Sequence, residues 1–159
     1  MTLRSSRAWQ IGSVLLAATL APSGVASASL GDNASSVDRD RVHMQGALLR
    51  IVRADTHIVH EIRAASGTTV REYLTTTGTV FAVAWQGPWL PDMRQVLGTH
   101  FDQYQRAIQS GARTRKSRGS IVIDESDLVV QMSGHQRSFS GRAYVPALVP
   151  LGLRPDSIR

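Results

Sequence analysis

The stretch HIVHEIRAASGTTVREYLTTTGTVFAVAWQ, residues 57–86, decides the fold. It contains three runs rich in Val, Ile, Thr and aromatic residues, the types that favour β-strands: His57–Arg63, Thr68–Thr75 and Thr79–Gln86. Ser66-Gly67 and Thr77-Gly78 separate the runs, and glycine permits the positive φ of a tight turn. Short turns between consecutive strands predict an antiparallel meander.

The third run is predicted to be a central strand, because it is apolar on both faces. Strict alternation separates its side chains into two sets, namely Phe81, Val83 and Trp85 on one face and Val80, Ala82 and Ala84 on the other.

A main amphipathic helix is predicted to follow, over about residues 92–109. Asp92 is a good N-cap, and Gln95 three residues later fits a capping box. Gly111 fits the end of the helix. The residues of the buried stripe recur with helical spacing: Met93, Val96, Leu97, His100, Phe101, Tyr104 and Ile108.

The rest of the domain adds further strands. Three short runs after the helix read as strands, at Ile121–Ile123, Leu128–Met132 and Ser138–Val145. Before the meander, the spacing of apolar residues is compatible with a short N-terminal helix over about 36–48. We therefore predict a single α+β domain over residues 36–145. It has an antiparallel sheet of five to six strands, made of a three-stranded meander and two to three later strands, with the main helix packed on one face.

The two ends of the chain differ from this domain. Residues 1–28 have the parts of a cleavable export signal: Arg4 and Arg7, an uncharged apolar stretch over 8–20, and Ala26-Ser27-Ala28 before a cut ahead of Ser29. The apolar stretch is shorter than the ~20 residues that span a bilayer, which disfavours an uncleaved anchor. No transmembrane segment is predicted after signal removal. Residues 29–35 are predicted to be flexible, and residues 146–159, with three prolines, to form an extended tail.

Composition narrows the class of protein. The chain has no cysteine, which excludes disulfides and a lipid-modified N-terminal cysteine. The net charge is +6, and it falls to +4 when the two arginines of the signal are removed. This basic excess is compatible with anionic partners but does not identify them.

Two long stretches, Val70–Phe101 and Asp127–Gly152, resemble a known family. The segments Val-Arg-Glu-Tyr, Trp-Gln-Gly-Pro and Phe-Ser-Gly-Arg-Ala-Tyr within them are specific. They resemble the domain of unknown function 2844 family, which consists of uncharacterised exported bacterial proteins. The chain departs from the family at Asp32, where members often have a second glycine after Leu-Gly. The resemblance implies export in proteobacteria of the Burkholderia kind, and it implies no activity, cofactor or site residue.

No catalytic, cofactor-binding or metal-binding residue is assigned from the sequence. If residues 57–63 form a strand, alternation puts His57 and His60 on opposite faces, which disfavours a metal site. Nucleophile, phosphate-loop and dinucleotide signatures are absent. An envelope-polymer hydrolase is the alternative, because site residues can converge from distant segments; its candidates are His57, Glu61, His100 and Asp124.

The leading hypothesis is a non-enzymatic periplasmic or secreted binding or accessory module. Candidate anion-binding residues form one basic cluster: Arg106, Arg113, Arg115, Lys116 and Arg118. For an exported protein, an envelope protein or an anionic surface polymer is a better partner for this cluster than nucleic acid. Trp89, in the Gly87–Pro91 loop, is a candidate partner contact. A third reading is binding of anionic polymers through the basic cluster.

Overall fold

The computed structural model describes residues 30–111 and 120–159. Within these residues, three helices and seven strands follow one another: α1 (Ser35–His43), β1 (Ala47–Arg53), β2 (His57–Arg63), β3 (Thr69–Thr75), β4 (Val80–Gly87), α2 (Met93–Leu97), α3 (Phe101–Ser110), β5 (Ser120–Asp124), β6 (Val129–His135) and β7 (Ser138–Tyr144). Three 3-10 turns complete the structure, at Gly98–His100, Pro146–Leu148 and Pro155–Ser157.

The strands form one open antiparallel sheet in the order β1-β2-β3-β4-β7-β6-β5. This confirms the α+β class and the central position of β4, but the predicted count of five to six strands is wrong. The missed strand is β1, at the edge of the sheet, where all seven residues are exposed. An exposed edge strand lacks the alternation of apolar and polar residues that reveals a half-buried strand.

The N-terminal helix is shorter than predicted, since it ends at His43. Gln45 then adopts a positive φ of 47°. A Cβ at Gly46 would lie 2.8 Å from Cγ2 of Ile62, so the chain makes a close turn against β2 that only glycine fits. Residues 47–48, predicted to be helical, therefore begin β1.

The main helix is confirmed, with one interruption. The side chain of Asp92 accepts a hydrogen bond from the main-chain N–H of Arg94 at 2.9 Å, as expected of an N-cap. Gly98 has φ 49° and divides the element into α2, a 3-10 turn and α3. Gln95 does not complete a capping box, because its side chain donates to Asp40 instead.

The two faces of the sheet are covered by different parts of the chain. The helix face packs against α1, α2 and α3 and holds the larger core, including Ile62, Val83 and Leu97. The tail face packs against residues 146–159, whose Ile158 is 1% exposed. The predicted extended tail thus runs back over the sheet through two 3-10 turns.

A β-bulge in β4 changes which residues share a face. Tyr73 pairs with Ala82 but Leu74 pairs with Val80, which leaves Phe81 as an extra residue. Val80 therefore packs in the helix-face core, and Phe81 packs with Ala82 on the tail face. The assignment of Phe81 and Val80 from strict alternation is wrong for this reason.

The segment before α1 also belongs to the packed structure. Leu30 is fully buried. The main chain of Gly31 donates to Val80, and Val80 donates to Asp32, both at 2.8 Å. Asn33 forms a bridge with Thr79. Residues 30–33, within the start predicted to be flexible, therefore run beside the beginning of β4.

Candidate functional site

A cleft of about 410 Å³ opens on the tail face, between the ends of β5–β7 and the last residues of the chain. The register of the strands brings its polar side chains together, since Ser120 pairs with Ser133 and Ser133 pairs with Ser140. Gln86 continues this row on β4. The next row supplies Val122, Gln131 and Arg142, and Ile158 and Arg159 form the opposite wall.

Arg142 fixes that wall in place. Its guanidinium donates to the main-chain oxygens of Pro155 at 2.7 Å and Ile158 at 3.3 Å. It also donates to the side-chain oxygen of Gln131 at 2.9 and 2.7 Å, and it forms an ion pair with Asp156 at 2.8 Å. Because these contacts occupy the guanidinium, Arg142 holds the tail and is not a free cation in the cleft.

A second set of contacts anchors the end of the tail on β3. The hydroxyl of Tyr73 donates to the main-chain oxygen of Arg159 at 2.9 Å and accepts from its N–H at 3.1 Å. Arg71 donates to the same oxygen at 3.2 Å. Arg71 and Arg50 both form ion pairs with Glu61 on β2. These charged groups of the tail face thus have partners.

A buried carboxyl pair lies on the helix face. Asp40 of α1 and Glu72 of β3 are each 2% exposed, and their side chains are hydrogen-bonded to each other. The amide of Gln95 donates to Asp40 at 2.9 Å. Burial raises the pKa of Asp40 to about 6. Burial and the neighbouring Asp40 raise the pKa of Glu72 well above its usual value. The pair therefore keeps a proton at neutral pH.

Four buried side-chain polar atoms of the described residues have no hydrogen-bond partner. They are Oε2 of Glu72, Nδ1 of His60, Nε of Arg39 and Nε1 of Trp85. His60 lies opposite Glu72 in the neighbouring strand, and burial lowers the pKa of its ring. The pair is enclosed beneath α1, and neither carboxyl lines the cleft.

The four candidate hydrolase residues do not share a site. His57 stacks against the ring of Tyr73 at 5.9 Å between ring centroids, and Glu61 is engaged by two arginines. His100 lies between α2 and α3, and Asp124 ends β5. None of the four lines the cleft.

The two candidate contact sites lie elsewhere. Trp89 is 54% exposed, and its main-chain oxygen accepts a hydrogen bond from the hydroxyl of Thr68 at 2.7 Å; it does not line the cleft. Arg106 is exposed on α3. The other members of the basic cluster, Arg113, Arg115, Lys116 and Arg118, lie outside the described residues.

Sequence reasoning missed the buried carboxyl pair and the residues that hold the tail. Glu72 could have been noticed in the sequence. It lies two residues from both Val70 and Leu74, so the three side chains share one face of the strand, and that face is otherwise apolar. An acidic residue in such a place needs a partner or a proton. No comparable signal marked Arg142 or Tyr73, whose partners lie on a tail with no predicted position.

The part of the chain that the structure describes lacks two features. Neither a helix long and apolar enough to cross a membrane nor a group of three or more potential metal ligands occurs within residues 30–111 and 120–159.

Comparisons with known proteins give one result. Residues 26–158 match the family described as "Protein of unknown function (DUF2844)". No curated protein matches the chain significantly, and no solved structure does. Because the match covers most of the chain, this protein belongs to the domain of unknown function 2844 family.

Proposed function

We propose that this family member is a non-enzymatic binding module that acts outside the cytoplasm, with its ligand held in the cleft on the tail face. The cleft carries the proposal. Its volume of about 410 Å³ falls in the range of roughly 300–1,000 Å³ typical of small-ligand sites.

The lining points to a hydroxyl-rich ligand, such as a sugar unit of an envelope polymer. The hydroxyls of Ser120, Ser133 and Ser140 both donate and accept hydrogen bonds, as sugar hydroxyls do. The amides of Gln86 and Gln131 add donors and acceptors. Val122, which is half-buried, supplies apolar surface on which a sugar ring can rest.

A leucine substitution at the cleft tests this function. Ser140 lines the cleft, whereas Ser138 is exposed on the same strand and face but does not line it. We expect soluble glycan fragments from the producing cell's envelope to shift the amide NMR signals of Ser120, Ser133 and Ser140. Ser140→Leu should abolish the shifts of Ser120 and Ser133, because its larger apolar side chain projects into the cleft and removes a hydroxyl, and Ser138→Leu should leave them unchanged. Shifts spread evenly over the protein, or equal loss in both variants, would refute the proposal.

Export is the second component of the proposal. Its support is the pattern of residues 1–28, together with a family match that begins only at residue 26. Cell fractionation followed by N-terminal sequencing should recover a mature protein that begins at Ser29. Recovery of a chain with an intact N-terminus from the cytoplasm alone would contradict this part.

Binding of anionic polymers is a second candidate function. It is favoured by the exposure of Arg106 on α3, which ends just before the four other cationic residues of the cluster. Replacement of Arg113, Arg115, Lys116 and Arg118 by Ser should weaken binding to an anionic polysaccharide and reduce its salt dependence. Arg137→Ser, at an exposed turn between β6 and β7, is the matched control. Unchanged affinity in the four-residue variant would exclude this function.

A further inference from the structure

The edge strand β1 has an unusual surface. All seven of its residues are exposed, and its outer edge has no strand partner among the described residues. Four of the seven are large aliphatic residues on both faces of the strand: Leu48 at 40% exposure, Leu49 at 52%, Ile51 at 40% and Val52 at 43%. A long apolar edge is a template for pairing with another strand.

The opposite edge of the same sheet is different. β5 has five residues, of which Ile123 is buried and three others are half-buried. Short and partly covered strands are the usual protection of a sheet edge. The sheet therefore has one protected edge and one open edge, and the cleft lies near the protected one.

We propose that β1 pairs with β1 of a second copy of this chain, antiparallel and centred on Ile51. The two sheets then form one continuous sheet with a two-fold axis at its middle. This inference is independent of the proposed cleft function, since β1 contributes no residue to the cleft.

The register follows from which residues share a face. Directly opposite residues of an antiparallel pair point to the same face. The two-fold axis therefore passes midway between one residue and the same residue of the second copy. A centre at Ile51 places Ile51 opposite Ile51 on the helix face and Arg50 opposite Val52 on the tail face. A centre at Arg50 would oppose two guanidinium groups. A centre at Val52 would bring only residues 51–53 of the two strands opposite each other, whereas a centre at Ile51 does so for residues 49–53.

Of the two arginines on β1, Arg50 and Arg53, the one next to Ile51 on the tail face does not need an acidic partner. Arg50 already forms an ion pair with Glu61 of its own chain, at 3.5 Å. A partner strand therefore has no need to supply a carboxylate at this position. What the edge lacks is apolar contact, and an identical strand supplies it, because aliphatic pairs across two strands stabilise a sheet.

The size of the contact predicts a weak dimer. The contact is a single seven-residue edge, whereas stable interfaces bury roughly 1,200–2,000 Å² and involve some 20–30 residues on each side. We therefore expect reversible association that depends on protein concentration, which sedimentation velocity detects as a rise in mean mass toward twice that of the monomer.

A charge at the two-fold axis tests the register. Ile51→Lys puts two ammonium groups opposite each other and should weaken the dimer by about tenfold or more, while the exposed position leaves the monomer folded. Val42→Lys is the matched control, since Val42 is 66% exposed and belongs to α1, not to β1. A wild-type chain that stays monomeric up to millimolar concentration, or an Ile51→Lys dimer of unchanged strength, would overturn the proposal.

Cysteine cross-linking tests the same contact in a second way. The chain has no cysteine, so a single new one reports on one position. Under mild oxidation, Ile51→Cys should form a disulfide-linked dimer at low protein concentration, and Val42→Cys should not. Faster cross-linking of Val42→Cys than of Ile51→Cys would show that a different surface associates and would overturn the proposal.

Discussion

The two faces of the sheet differ in how their buried polar groups are stabilised. On the helix face, Asp40 and Glu72 are buried side by side with few partners, and a retained proton stabilises them. On the tail face, Arg142 and Arg71 donate to main-chain oxygens of the tail and contact acidic residues. One cover of the sheet thus packs over a carboxyl pair that keeps one proton, and the other is held by charged hydrogen bonds. We expect the two covers to respond differently to mutation and to pH.

The largest expected effect comes from the helix face. Leu97 is fully buried under the sheet, so Leu97→Ala should lower the free energy of unfolding by about 4 kcal/mol through lost burial and a cavity. Ile158→Ala on the tail face should cost less, because the tail can detach without unfolding the sheet. Urea denaturation measures both. Leu151→Ala, at 97% exposure, is the control; equal losses at Leu97 and Ile158 would mean that the two covers are equally integral.

A pH series distinguishes the two kinds of carboxyl. A carboxyl whose pKa is higher in the folded than in the unfolded protein stabilises the fold when the pH is below its unfolded pKa. This stabilisation is lost as the pH rises through its folded pKa. Asp40 titrates at about 6, so its contribution disappears between about pH 4 and pH 8. Burial and Asp40 also raise the pKa of Glu72, so the stability that depends on its proton is likewise lost as the pH rises. Glu72→Gln removes this titration and should therefore be more stable than wild type at pH 8, with the advantage shrinking toward pH 4.

The control for this series is Glu61→Gln on the tail face. Glu61 contacts Arg71 and Arg50, so loss of its charge should destabilise the protein at pH 8, the opposite sign. Comparing each variant with wild type also removes the contribution of His60, whose lowered pKa reduces stability as the pH falls. A difference between Glu72→Gln and wild type that stays constant with pH would refute the shared proton.

The next effect tests how the tail is held. Arg142→Met keeps the aliphatic part of the side chain but removes the hydrogen bonds to Pro155, Ile158 and Asp156. We expect a loss of about 1.5 kcal/mol and faster amide hydrogen exchange confined to residues 146–159. Uniformly faster exchange across the sheet would show that the tail is part of the cooperative unit.

The smallest effect belongs to Tyr73. Tyr73→Phe removes only the hydroxyl that contacts Arg159 and should cost about 1 kcal/mol. The amides of Ile158 and Arg159 should exchange faster, and those of α3 should not. No change at the tail would mean that Arg71 alone holds this end.

The elements that could be predicted from the sequence are those whose buried apolar residues recur at a regular spacing. The meander and the main helix were found because Ile, Val and aromatic residues recur with the spacing that a core imposes. β1 was not predicted, because an exposed edge strand imposes no such pattern. The bulge at Phe81 was not predicted, because it depends on the pairing of β4 with β3. The packing of the tail was not predicted, because the residues that hold it, Arg142 and Tyr73, are distant from it in sequence.

The candidate site was less predictable than the fold. The serines of the cleft are unremarkable in the sequence, and only the register of β5, β6 and β7 places them in one row. The carboxyl pair joins residues 40 and 72 across two elements, so only the acidic half within β3 could have been noticed in advance.

The seam between β4 and β7 has a consequence for how the chain reaches its fold. The first four strands form a local meander, and β5–β7 form a second one, but Ala82 pairs with Tyr144 and Gly87 with Phe139. Joining them closes a long loop, which makes late formation the expected order. During synthesis from the N-terminus, one edge of the apolar strand β4 thus stays unpaired until Ser138–Tyr144 has emerged. In this interval the nascent chain is most prone to aggregate.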